Sequence, residues 1–260
     1  DPDSSAGSRL YSYLAMAAGK LEETIGHLQR AMHGDPNDTE TLLWTAYVLA
    51  SHAGRPSLAK PVADRWLAVD PLNPFVPAAL LWVHWGDGDM EGGLHAADEW
   101  ARRHPGNRIC GFYRALFLAY LGRDEEAQGQ AETLVQEEPE EVMGQVLHFL
   151  TLALLGRRDE ALGAVSSENQ PHCWVDFGLP LWMADAYAVL GEVDEAVRWL
   201  KRAVDNGMLN YPLLADLDPF LEDIRSEPRV QQLLAQTKER WDGLGREIGP
   251  DLRDLSLIPQ

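Results

Sequence analysis

The side chains able to carry chemistry are few in this 260-residue chain, and their spacing argues against most of the chemistry they suggest. Residues 171–174 read PHCW and set His172 beside Cys173; an imidazole next to a thiol can favour the thiolate, the form that attacks or ligates. Neighbours in sequence seldom give a base and a nucleophile a shared hydrogen bond, so this is weak geometry for a covalent mechanism. Residues 87–98, DGDMEGGLHAAD, put acids at the first, third and fifth places of a calcium loop, glycine at the sixth and leucine at the eighth. The last place, however, holds Asp98 where such a loop needs a bidentate glutamate. The eight histidines include His84, His95 and His104, but no HExxH and no clustered Cys/His spacing accompanies them. Neither GxxxxGK[ST] nor GxSxG is present, and no GxGxxG follows a strand. A paired-carboxylate site could hide among 41 acids, yet runs such as RDEEAQ and QEEPEEV read as solvated helix faces and caps. Asp185 is the one acid nominated to point inward. The expectation is a chain with no catalytic residue, no metal and no cofactor.

The elements that must position these residues are marked by glycine. Gly19, Gly54, Gly88, Gly122, Gly156 and Gly191 fall 35, 34, 34, 34 and 35 residues apart. A period near 34 belongs to helix–turn–helix units, which cannot bury their apolar faces alone and stack into one continuous core. About five residues after these glycines stand Thr24, Ala59, Gly93, Ala127, Ala161 and Ala196; a small residue there lets a second helix cross its partner closely. Pro36, Pro71, Pro105 and Pro139 each follow a glycine by 17 residues and end the second helix, because proline lacks an amide proton and biases the preceding residue away from the helical basin. Gly88 keeps this phase, so from Met90 onward the calcium-like stretch is predicted to be helix and not loop.

Glycine between two helices, a small residue early in the second and proline after it resemble the tetratricopeptide repeat. Residues 190–207, LGEVDEAVRWLKRAVDNG, are similar to its consensus almost residue for residue, and the resemblance covers roughly 10–207. Trp66 and Trp100 depart from it, standing where the family usually has alanine, and the fifth unit's second helix runs out in SSENQPHC. The resemblance implies an all-α superhelix, a solenoid of about six repeats (5–37, 38–72, 73–106, 107–140, 141–174 and 175–208), with partner binding as its default function. Capping helices are expected over 209–241, from Asp218–Pro219 and Glu227–Pro228 as helix starts, and a partly ordered tail over 242–260. The C-terminal end resembles repeat arrays of multidomain bacterial signalling proteins, which implies an alternative: a regulatory region acting on its own upstream domain or self-associating.

The predicted helix pairs are 8–18 with 20–33, 39–53 with 57–69, 75–86 with 90–103, 108–121 with 124–137, 141–155 with 158–166, and 175–190 with 193–206. A formal charge of −19 opposes nucleic acid and anionic membranes. Apolar runs such as LHFLTLALLG are too short to span a bilayer, and no positively charged, apolar leader opens the chain. Cys110 and Cys173 are expected as free thiols, which suits a reducing, cytoplasmic setting. Because the chain begins at Asp1 without methionine, it is expected to be a piece of a longer protein or a processed product.

Function is expected in the groove lined by the first helices. In register, the inward positions of units two to five read Trp44, Ala78, Phe112, Val146; then Val48, Trp82, Leu116, Leu150; then Ser51, Trp85, Ala119, Ala153. Spacings of four and three place Trp44, Val48 and His52 on one face, and likewise Ala78, Trp82 and Trp85. The predicted partner-binding residues are Trp44, Val48, His52, Trp82, Trp85, Phe112, Leu116 and Tyr120, an aromatic groove for an apolar or amphipathic segment of another protein. Acidic rims favour basic flanks on that segment. The family's clamp for a terminal carboxylate needs Lys, Arg and Asn at inward positions, and these are absent, so an acidic peptide tail is disfavoured.

Overall fold

A computed structural model describes the backbone of residues 4–176 and 178–254, and the side chains of these up to residue 246. Among the described residues the chain is helical and has no strand. Helices follow as pairs: α1 (Ser5–Ala17) with α2 (Leu21–Gly34), α3 (Thr39–Tyr47) with α4 (Pro56–Val69), α5 (Val76–Asp87) with α6 (Met90–Arg103), and α7 (Arg108–Tyr120) with α8 (Asp124–Glu137). Then come α9 (Val142–Leu154) with the short α10 (Arg158–Gly163), an excursion carrying α11 (Gln170–Val175), and α12 (Leu179–Val189) with α13 (Val193–Asp205). The predicted second helix over 158–166 therefore ends at Gly163, and the segment expected to be irregular forms one short helix. The predicted helix start at 175 falls instead at Leu179, because Asp176 accepts from the amides of Gly178 and Leu179 and caps α12 there.

The punctuation has the physical cause read from it. All six periodic glycines adopt φ between +58° and +76°, a region closed to most side chains, and turn the chain between paired helices. Helices α2, α4, α6 and α8 end at residues 34, 69, 103 and 137, two residues before Pro36, Pro71, Pro105 and Pro139. Side chains of Asp38, Asn107 and Glu141 then accept amide hydrogen bonds and start the next helices. The 35-residue spacing before Gly54 has its own explanation. Helix α3 continues as a single π-turn, Val48–His52, which takes up one extra residue and returns Gly54 to phase.

Successive first helices touch, α3 to α5 to α7 to α9 to α12, and form an inner layer; the second helices α2, α4, α6 and α8 pack outside, each bridging to the next unit. The small positions are where layers meet. A Cβ on Gly93 would lie 2.4 Å from the Phe117 ring. Gly93→Ala, which in an open helix would stabilise by about 1 kcal/mol, is expected to destabilise here by ~1–2 kcal/mol through overpacking. Thermal denaturation checks the sign. Trp66, at an alanine position of the resembled repeat, is fully buried, whereas Trp100 is half-buried and stacks on His104.

The coil closes on itself. Trp182 of α12 packs its ring 4.9 Å from Phe112 of α7 and 6.0 Å from Trp85 of α5. The end of α13 reaches the first glycine turn, where a Cβ on Gly19 would sit 2.0 Å from the Asp205 carbonyl oxygen. Beyond it a π-turn (Leu213–Leu217) and a 3-10 turn (Pro219–Ile224) run across one end of the inner layer. The Leu209 amide donates to the His52 carbonyl at 2.9 Å, Asn210 abuts Gly54, and Leu217 abuts Gly88. Asp218 caps the 3-10 turn through the Phe220 amide. Helix α14 (Pro228–Asp254) leans on α2 and α13, pinned by the Arg55 guanidinium 3.7 Å over the Trp241 ring and by an Arg240–Glu22 ion pair. It continues through much of the expected tail; residues 255–260 of that tail lie outside the described residues.

Candidate functional site

One end of the inner layer is plugged by residues 207–224, and the other is open. Around that open end, the starts of α3, α7, α9 and α12 surround a cavity of about 610 Å³, and a recess of about 400 Å³ adjoins it, sharing Tyr13, Trp44, Asp176 and Leu179. The main cavity falls within the roughly 300–1,000 Å³ that suits a drug-sized ligand or a few peptide residues.

Its wall is a run of aromatic rings set edge to face. Tyr13 and Trp44 are 5.5 Å apart at 63°, Trp44 and Tyr47 are 6.1 Å apart at 80°, and Tyr47 and Trp82 are 4.7 Å apart at 65°. The Trp82 indole N–H donates to the Tyr113 hydroxyl at 2.6 Å, and Trp182 lies beneath. Crossed rings hold each other through edge-to-face contacts, so the wall is built before any ligand arrives. Helix phase explains the clustering: Trp44 and Tyr47 are three residues apart on α3, and the π-turn that follows them leaves both at the cavity. Burial and its hydrogen bond to Glu40 push the Tyr13 phenol up to about 12. Burial raises Tyr47 well above its usual value and raises Tyr113 also. All three are neutral hydrogen-bonding groups at neutral pH and not bases.

Two carboxylates complete the lining. Glu40 accepts from the Tyr13 hydroxyl at 3.1 Å, and Arg9 bridges it to Asp38 behind the wall. Asp176 sits across the opening at the start of α12. Among the described lining residues there is no lysine or arginine.

Trp44 and Trp82 are the two predicted site residues on this cavity. Val48, His52, Trp85, Phe112 and Leu116 are each at most 3% exposed, in the interior of the closed coil. Tyr120 is half-buried at the plugged end, where its hydroxyl donates to Asp218 at 2.8 Å and its ring meets Phe220. The reason is closure: α12 and residues 207–224 fill the volume that an open superhelix would leave to solvent. Tyr13, Tyr47, Tyr113 and Trp182, with Glu40 and Asp176, were not foreseen. Tyr113 and Trp182 share a register position nine residues before their unit's glycine (122 − 113 and 191 − 182), one residue off the predicted inward position ten before it, which is Leu181 in unit six, so the register did not nominate them.

The two thiols lie elsewhere and are sealed. Cys110 and Cys173 are free and buried, and burial pushes each thiol up to about 11; His172 beside the second is exposed. Asp89 of the calcium-like stretch caps α6 through the Gly92 amide and pairs with His84. Asp185 and Asp218 form a carboxyl pair at the plugged end, both fully buried.

Comparison with known proteins adds no closer assignment, since no family model and no curated protein matches the chain. Fold and site together define an all-α protein of repeated helix pairs, closed at one end and open at the other on an aromatic, acidic cavity. No helix among its described residues is long and apolar enough to cross a membrane.

Proposed function

We propose that the chain is a non-catalytic binding module of the tetratricopeptide type, which holds an apolar or amphipathic segment of a partner protein at the open end of its coil. The supporting observation is the crossed aromatic wall formed by Tyr13, Trp44, Tyr47 and Trp82 around an opening of peptide size. Rigid aromatics with a polar edge give large contact area at small entropy cost, which is why they anchor protein interfaces. The exposed rim residue Phe75 and, in the adjoining recess, Val175 extend apolar surface outward, where a bound segment would continue. A non-catalytic reading is favoured by the acids and thiols, since Cys110, Cys173, Asp185 and Asp218 are closed to a substrate, while the tyrosines of the cavity stay protonated at neutral pH.

Selection of peptides from a random displayed library against the purified chain tests this. Enriched peptides are expected to bind Trp44→Ala about tenfold or more weakly, with a smaller loss for the rim variant Phe75→Ala. Phe75→Ala should melt near the wild type, and Trp44→Ala, which loses two edge-to-face contacts, should stay folded with a lower Tm. An empty selection, or peptides that bind both variants as they bind the wild type, would overturn the proposal.

A further inference from the structure

Resting on that reading of the open end as a binding site, we infer that its ligand segment is anchored by an arginine side chain, the guanidinium lying against Trp44, Tyr47 and Trp82 and facing Glu40 and Asp176. Charge comes first. Asp38, Glu40 and their shared Arg9 leave a net charge of −1 on one side of the opening, and Asp176 adds another on the opposite side. With no described basic residue in the lining and −19 on the whole chain, the cavity attracts cations and repels acidic segments at every range that salt leaves unscreened.

Ring geometry then selects among cations. An aromatic face carries negative electrostatic potential, and neighbours crossed at 63° to 80° present faces and edges in alternation around the wall. A flat, weakly hydrated guanidinium stacks on such faces while its N–H groups reach carboxylates in its own plane, whereas a compact, strongly hydrated ammonium must give up more water to enter. The same chain uses this pairing internally. Arg55 lies 3.7 Å over Trp241, and Arg198 and Arg202 lie 5.0 Å and 5.2 Å from Trp174.

The test uses Nα-acetyl-arginine amide and its neutral isostere Nα-acetyl-citrulline amide, titrated to about 50 mM while the indole N–H resonances of Trp44 and Trp82 are followed by NMR. The two resonances are assigned with Trp44→Phe and Trp82→Phe. Arginine is expected to shift both with an affinity about tenfold above citrulline, Nα-acetyl-lysine amide to fall between, and Glu40→Gln to weaken arginine about threefold. Added salt should weaken arginine and leave citrulline unchanged. Equal binding of arginine and citrulline would overturn the inference while leaving the cavity as a binding site. Lysine binding as tightly as arginine would overturn the choice of guanidinium. No shift with any probe would also overturn it, and the displayed-peptide selection then decides separately whether the cavity binds a segment of other chemistry.

Discussion

A chain ended at Gly207 is expected to lose protection from hydrogen exchange in its first three units, far in sequence from the cut. In an open array each unit contacts only its neighbours, so removing a terminal cap frays the last unit and leaves the first intact. Here the residues beyond Gly207 lie against the glycine turns of units two and three and, through α14, against α2 of unit one, and the segment buries Met208, Leu209, Leu213, Leu214, Phe220, Leu221 and Ile224 almost completely. At ~1.5–3 kcal/mol for each such side chain, the gross loss is of order 10 kcal/mol, comparable with the whole stability of an ordinary domain. The truncated chain should therefore unfold or associate. Amide exchange of α1 to α5 is the measurement. If those amides stay as slow as in the full chain while only α12 and α13 exchange faster, the coil is open and the plug is a simple cap.

Much of the helical framework was legible in the residues, because its signals are local. Positive φ favours glycine at Gly19, Gly54, Gly88, Gly122, Gly156 and Gly191, and proline cannot continue a helix at Pro36, Pro71, Pro105 or Pro139; each acts within a few residues of itself. Helices α6 and α8 match the predicted bounds, and most others differ by one to three residues. Closure was not legible, since the way a coil of units meets itself depends on small rotations summed over every interface, and no single residue type reports them. The candidate site inherits that difference. Trp44 and Trp82 were found because a three-to-four spacing defines one face of one helix. Tyr113 stands one residue after the predicted Phe112, about 100° around α7, and reaches the cavity only because α12 occupies the space that Phe112 faces. Asp176 could not be found at all, because the segment before α12 has no periodicity to place it.

Closure also gives the two ends of the coil different chemistry. At the open end Glu40 and Asp176 are partly exposed and available to a cation. At the plugged end Asp185 and Asp218 have lost their water entirely, and only one of them has donors: Asp218 accepts from Tyr120 and from the Phe220 amide, whereas neither oxygen of Asp185 has a hydrogen-bond partner among the described residues. An ionised carboxylate without donors is costly, so Asp185 is held in protonated form, whereas Asp218, with its two donors and Arg225 nearby, gives up its proton at about pH 6. The same type of side chain is thus a recognition group at one end and a neutral filler at the other.

That arrangement predicts a stability that falls as pH rises. Burial pushes the Asp218 carboxyl up to about 6, and burial together with the Asp218 charge raises Asp185 well above the usual carboxylate range; the Arg225 side chain acts against the first of these shifts, as do the hydrogen bonds from Tyr120 and Phe220. In the unfolded chain both acids titrate near 4. The folded state therefore binds more protons above pH 4, and stability declines with pH from there through about 6 for Asp218 and further for Asp185. Ion-paired acids elsewhere, such as Asp38 and Asp89 with lowered values, oppose this only at lower pH, as their pairs are lost. The net expectation is a maximum near pH 5 and a loss of ~1–3 kcal/mol by pH 7.5, or roughly 2–4 °C in Tm for each kcal/mol at this size. Asp185→Asn keeps the shape and removes the charge. It should flatten the decline, melting above the wild type at pH 7.5 and close to it at pH 5. Thermal scans of both proteins across that range decide the matter: a wild-type Tm that climbs from pH 5 to 7.5, or a variant destabilised equally at both, would show that Asp185 is held ionised by a partner.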